Sequence, residues 1–163
     1  MDKKFGLMMS LPEGKLPGYY AQVVKNVAAA AVLFDRDKEL LIADTEHDRN
    51  EIAKALEKMK IEWEPLSLLL LPENAGTTRL FSDFGFVSKF GNTYLYSDSV
   101  SLFRCSEEQP ADAETAPALL QLEELVVAEF AWNDATWYAI DQDSRLTAEG
   151  IAQRYHCSLE FLE

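Results

Sequence analysis

Apolar and polar positions change period several times along the chain, and each change predicts an element. Residues 3 to 10, KKFGLMMS, read as a first strand, closed by the Pro/Gly-rich loop LPEGKLPG. In YYAQVVKNVAAAAVLF the first half suits a helical turn or two, while AAAAVLF predicts a buried strand over about 28 to 34. The polar DRDK and the short apolar run ELLIAD then make a hairpin with that strand, Asp35 and Asp37 lying at its tip. Over 46 to 60, Ile52, Leu56 and Met59 recur at helical spacing beside Ala53 and Ala55. Thr45 is placed as N-cap with Asp48 three residues on, and acids lead while lysines trail, as the helix dipole favours.

The second half is richer in strand patterns. LFSDFGFVSKF and TYLYSDSVSLFRC flank Gly91-Asn92, which predicts a hairpin over 79 to 104 with a two-residue turn. SEEQPADAETAP lacks apolar periodicity and marks a loop or linker over 106 to 116. A helix from about 116 to 124, strands VVAEFAW and TWYAID, and a helix over 148 to 156 follow. For that last helix Thr147 is the expected N-cap, with Leu146 stapled onto Ile151. No repeat or heptad array interrupts this order. The pattern predicts one compact α+β domain over residues 1 to 163, with a mixed or mainly antiparallel sheet and about three helices.

Charge adds what the pattern does not. The net charge is −13, and residues 107 to 163 hold 2 Lys/Arg against 13 Asp/Glu, so nearly all the excess lies in the last third. Such a field repels nucleic acid and anionic membrane surfaces and attracts basic partners. No apolar run approaches the length of a membrane span. Two cysteines more than fifty residues apart, Cys105 and Cys157, suit a reducing, cytoplasmic setting better than a disulfide framework.

Motifs for common chemistries are missing. There is no GxxxxGK[ST], GxGxxG or GxSxG, and His47 and His156 have no zinc spacing around them, so neither metal nor cofactor is expected. LTAEGIAQRY resembles the first helix of a helix-turn-helix, but its surroundings are acidic where DNA contact needs Lys and Arg. Asp35 and Asp37 after an apolar run resemble the first two aspartates of haloacid-dehalogenase-like phosphatases, although Glu39 stands where that family has Thr or Val. AAAAVLFDRDKELLIAD is also similar to the opening strands of Nudix hydrolases, without their glutamate-rich helix. The resemblance implies a small metal-dependent phosphate-ester hydrolase using Asp35 and Asp37, with Asp44, Asp141 or Asp143 as further ligands.

The reading preferred over that alternative is a non-enzymatic acidic binding protein that neutralises or escorts a basic protein partner. Glu129, Trp132, Asp134, Trp137, Tyr138, Asp141 and Asp143 interleave aromatic anchors with carboxylates and are its expected contact residues. Size and acidity are similar to bacterial toxin-immunity proteins, nucleic-acid mimics and secretion chaperones. Immunity or inhibition ranks first because a toxic nuclease is typically basic.

Overall fold

In the computed structural model, which describes residues 1–163, local preference and tertiary pairing agree over most of the chain. In order the elements are β1 (Asp2–Ser10), α1 (Tyr19–Ala30), β2 (Asp35–Asp37), β3 (Leu40–Ala43), α2 (Glu46–Lys58), β4 (Glu62–Leu70), β5 (Gly76–Thr77) and β6 (Gly85–Val87). They continue as β7 (Thr93–Tyr96), β8 (Val100–Cys105), α3 (Thr115–Leu122), β9 (Val126–Trp132), β10 (Ala135–Asp141), α4 (Arg145–Arg154) and β11 (Leu159–Phe161). The fold class is α+β with antiparallel sheets, and it has four α-helices. The backbone divides into two compact units: Met1–Leu70 with Val87–Tyr94, and Leu71–Phe86 with Leu95–Glu163.

In the first unit β1 is the inner strand. It pairs with β4 from Asp2↔Leu70 to Ser10↔Glu62 and with β3 from Phe5↔Ala43 to Met8↔Leu40, and β3 pairs in turn with β2. Strand alternation sends Leu7 and Met9 to one face, where they meet Val23 and Val27 of α1 and Ile52 and Leu56 of α2. The helix over 46 to 60 forms as its pattern predicts, and Thr45 Oγ1 accepts the Asp48 N–H at 3.1 Å.

Gly6 sits where β1 has neighbours on both sides. A Cβ there would stand 2.9 Å from the Leu66 carbonyl oxygen and 3.0 Å from Leu40 Cδ1. Backbone on a paired strand cannot swing aside as a side chain does. Gly6→Ala is therefore expected to lower stability by about 1–3 kcal/mol, read as a reduced urea midpoint with an unchanged slope.

Several expectations are corrected. The strand over 28 to 34 does not form: α1 runs through Ala30, since alanine is the best helix former and a weak strand former. The hairpin exists, but Asp35-Arg36-Asp37 is itself the first strand, and the turn is Lys38-Glu39 with Lys38 at φ 52°. The region 79 to 104 is not one hairpin. Its turn is the three-residue Lys89-Phe90-Gly91, with Gly91 at φ 89° and Ser88 N–H bonded to the Asn92 carbonyl at 2.8 Å. A 3₁₀ turn at Ser97–Ser99 then parts β7 from β8, which lie in different sheets.

The second unit holds the sheet β11-β8-β10-β9-β5. Its helix-facing core gathers Phe103, Leu122, Val126, Ile140 and Ala148, joined by Tyr138, Ile151, Leu159 and Phe161. The last helix begins at Arg145, so Thr147 lies inside it; the N-cap is Ser144, and Leu146 is 80% exposed and staples nothing. β11 had no signal in the sequence beyond Leu159 and Phe161 flanking Glu160.

Candidate functional site

β9 and β10 form a tight hairpin through Asn133 and Asp134, both in the left-handed region at φ 50° and 59°. That is the geometry a two-residue primed turn requires, and Asn-Asp tolerates it well. The expected contact residues lie on or beside this hairpin, and strand alternation sorts them. Glu129 pairs directly with Tyr138, whose ring stacks on Phe103 at 5.3 Å and 25°. Tyr138 therefore belongs largely to the core face under α3 and α4, with the exposed Glu129 at its margin. Burial pushes the Tyr138 phenol up, and the charges of Glu129, Cys105 and Glu123 add to it.

Trp132 and Trp137 lie on the other face, where their rings meet at 5.4 Å and 53°. Arg104 stands over the Trp137 ring at 5.6 Å and is held in turn by Glu160 at 2.8 Å. Trp137 is buried, and its indole N–H has no hydrogen-bond partner. Asp134 occupies the turn, while Asp141 lies at the far end of β10, about 20 Å away at ~3.3 Å per residue. There Asp141 caps the following 3₁₀ turn by accepting the Asp143 N–H at 3.0 Å. The structure thus joins Glu129 with Tyr138, Trp132 with Trp137, and Asp141 with Asp143, as three separate groups rather than one patch.

Charge, in contrast, follows the architecture. The first unit holds 11 Lys/Arg and 12 Asp/Glu; the second holds 4 arginines and 16 acids, a net of −12. Arg79, Arg104 and Arg145 of the second unit are already engaged with Glu124, Glu107, Glu160, Glu149 and Glu163. Glu123, Glu129, Asp134, Asp141 and Asp143 have no cationic side chain against them among those pairs. Its field is therefore strongly negative and little compensated from within.

The Asp35 carboxylate has a different office. It is 3% exposed and accepts the Tyr94 hydroxyl at 2.6 Å and the Asn92 amide at 2.8 Å on Oδ2, and the Arg36 N–H at 2.7 Å on Oδ1. Burial alone would push this carboxyl up, but hydrogen bonds from Tyr94, Asn92, Ser88 and the Arg36 backbone outweigh it and hold it below the usual carboxylate range. Burial first, then the Asp35 bond and charge, drive the Tyr94 phenol far above its ordinary value. Asp44 is bound to Lys4 at 2.5 Å. Asp35 therefore spends its oxygens on protein donors, and no group of three or more His, Cys, Asp or Glu is placed to hold a metal ion. Ser88, Asn92 and Tyr94 were not foreseen as its partners; a polar Ser and Asn flanking a hairpin loop were the only hint.

No helix is long and apolar enough to cross a membrane, and both cysteines are free thiols. Burial, then the neighbouring Cys157, pushes the Cys105 thiol up, so it is not an activated nucleophile. Comparison of the chain with protein-family models, with curated proteins and with solved structures finds no match.

Proposed function

We propose that this chain is a non-enzymatic binding protein that neutralises or escorts a basic protein partner, of the toxin-immunity or inhibitor type, acting in the cytoplasm. The observation that carries the reading is the segregation of charge: the second unit bears a net of −12 and most of its arginines are internally paired. A surface of that kind accelerates encounter with a cationic protein and discriminates against anionic ones. Asp134 at the turn and Asp141 and Asp143 at the far end supply steering from both ends of the β9–β10 hairpin, with Glu129 between them. The half-exposed Trp132 supplies anchoring area, while Tyr138 is committed largely to the core on the other face. Unbridged cysteines accord with a reducing compartment.

The test is co-purification from the native host at low ionic strength, identification of the retained protein, and titration of the purified pair. A partner with positive net charge is expected. Its affinity should weaken at least tenfold between about 0.05 M and about 0.5 M salt, as screening shortens the reach of exposed charges. Glu129→Gln with Asp134→Asn should lower the association rate more than it raises the dissociation rate. Recovery of no basic protein, or binding indifferent to salt, overturns the reading.

A further inference from the structure

Against the acidity of the chain, the first unit contains a small cationic cleft of about 290 Å³, lined by Tyr20, Arg36, Asp37, Lys38 and Lys89. We propose that it is a binding site for a phosphomonoester dianion on a small hydroxylated or ring-bearing body. It draws on none of the acidic groups of the second unit and stands apart from the partner-binding reading.

Three separate segments converge to make it. Arg36 comes from β2, Lys38 from the β2–β3 turn, and Lys89 from the loop between β6 and β7. None of these cations is in an ion pair, a state they share with Lys3, Lys15 and Lys25 among others; what sets them apart is that all three line one cleft. Three cations line the cleft against one carboxylate, Asp37, with the buried Asp35 carboxylate bonded to the Arg36 N–H, which leaves a net positive environment suited to an anion. A guanidinium fork beside two mobile ammonium groups is the donor set that suits phosphate oxygens, the fork bidentate and the lysines as point charges.

The rest of the lining limits what is attached. Tyr20 offers a ring wall with the Arg36 guanidinium 6.0 Å from its centre, and its hydroxyl donates to the Lys38 carbonyl, which fixes the turn. Asp37 is the one carboxylate of the lining, suited to a ligand hydroxyl. The volume lies at the low end for small-molecule sites, so a compact ligand fits and a polymer does not.

The buried Asp35 explains why the segments meet. Its bonds to Asn92 and Tyr94 tie the far side of the Lys89 loop to β2, and its bond to the Arg36 N–H fixes the neighbouring residue. Asp35 thus acts as a positioning residue for a site it does not touch.

The experiment is titration of the full chain with inorganic phosphate, glycerol phosphate and succinate at constant ionic strength, followed by backbone amide NMR. Saturable shifts are expected at Arg36, Lys38, Lys89 and Phe90 with both phosphates, with succinate binding more weakly. Arg36→Gln and Lys89→Gln should each weaken phosphate at least about tenfold, while Lys54→Gln leaves it unchanged. Both substituted side chains reach solvent, and the amide spectrum of each variant verifies its fold. Absence of saturation, equal loss in Lys54→Gln, or succinate binding as tightly as phosphate overturns the assignment.

Discussion

Replacing Asp35 by alanine is expected to remove about 3–5 kcal/mol of folding stability, read as a lower urea midpoint. The side chain is 3% exposed and serves donors from the β6–β7 loop, from β7 and from its own strand. Truncation removes the shared acceptor of the buried Tyr94 hydroxyl and the half-buried Asn92 amide, leaving them their contact with each other. A carboxylate that ties a buried hydroxyl, an amide and a backbone N–H together costs about 3–5 kcal/mol when removed, a large share of a domain's usual stability of roughly 5–15 kcal/mol. Tyr94→Phe, which leaves the carboxylate its other partners, should cost less, about 1–2 kcal/mol. The double variant should fall well short of the sum, because both changes break one bond.

The same node sets a pH dependence. Since the folded carboxyl sits below its ordinary range, its contribution is complete above the unfolded value of about 3.9 and is lost as pH falls through the folded value. The stability gap between the natural chain and Asp35→Ala should thus be constant near neutrality and narrow in acid below about pH 4. A gap under about 1 kcal/mol at pH 7 would show the node to be screened like a surface pair. A full-sized gap together with unchanged phosphate titration would confine Asp35 to stability and remove its positioning role.

What the chain disclosed in advance was local. α2 was readable because its apolar stripe, its cap at Thr45 and its charge order all agree within fifteen residues. The strands β9 and β10 were readable as short apolar runs, whereas their pairing through the Asn133-Asp134 turn was not anticipated. The strand over 28 to 34 failed because an alanine run is silent about period, and propensity then decided for helix. The aromatic stretch 79 to 104 failed at Ser97–Ser99, where neither Gly nor Pro announces that the chain leaves one sheet for another. Asp35 was visible as an unusual residue but not as a buried acceptor, since its partners stand 57 and 59 positions away. The cationic cleft was hidden likewise: Lys89 is unremarkable until a distant carboxylate anchors its loop. Among the expected contact residues, parity alone already places Glu129 and Trp132 on opposite faces of β9, because three positions along a strand reverse direction.

Phe103→Ala is the second large effect, expected to cost about 3–5 kcal/mol. Phe103 is fully buried at the middle of β8, with Tyr138 opposite on β10 and Phe161 opposite on β11. Its ring lies 5.3 Å from Tyr138 and 5.6 Å from Phe161, so one side chain laces three strands together. Removing it leaves a cavity beneath α3 and α4 that neighbouring Leu122 and Ile140, also buried, cannot fill without shifting backbone. β11 suffers most, because its three residues pair with β8 alone and end the sheet. Amide exchange at Leu159–Phe161 and at Leu162, whose N–H bonds the Leu102 carbonyl, should accelerate more than exchange within β9 or β10. Phe103→Leu, which keeps most of the volume, should cost about 1–2 kcal/mol and leave β11 protected. With Tyr138 unstacked, the Glu129–Tyr138 pair loses its fixed support while Trp132 on the opposite face keeps its own. If the proposed basic partner is recovered, its weakened binding in Phe103→Ala, unaccompanied by weakening in Trp132→Ala, would place the proposed recognition on the Glu129 side of the hairpin; the reverse pattern would place it on the tryptophan side.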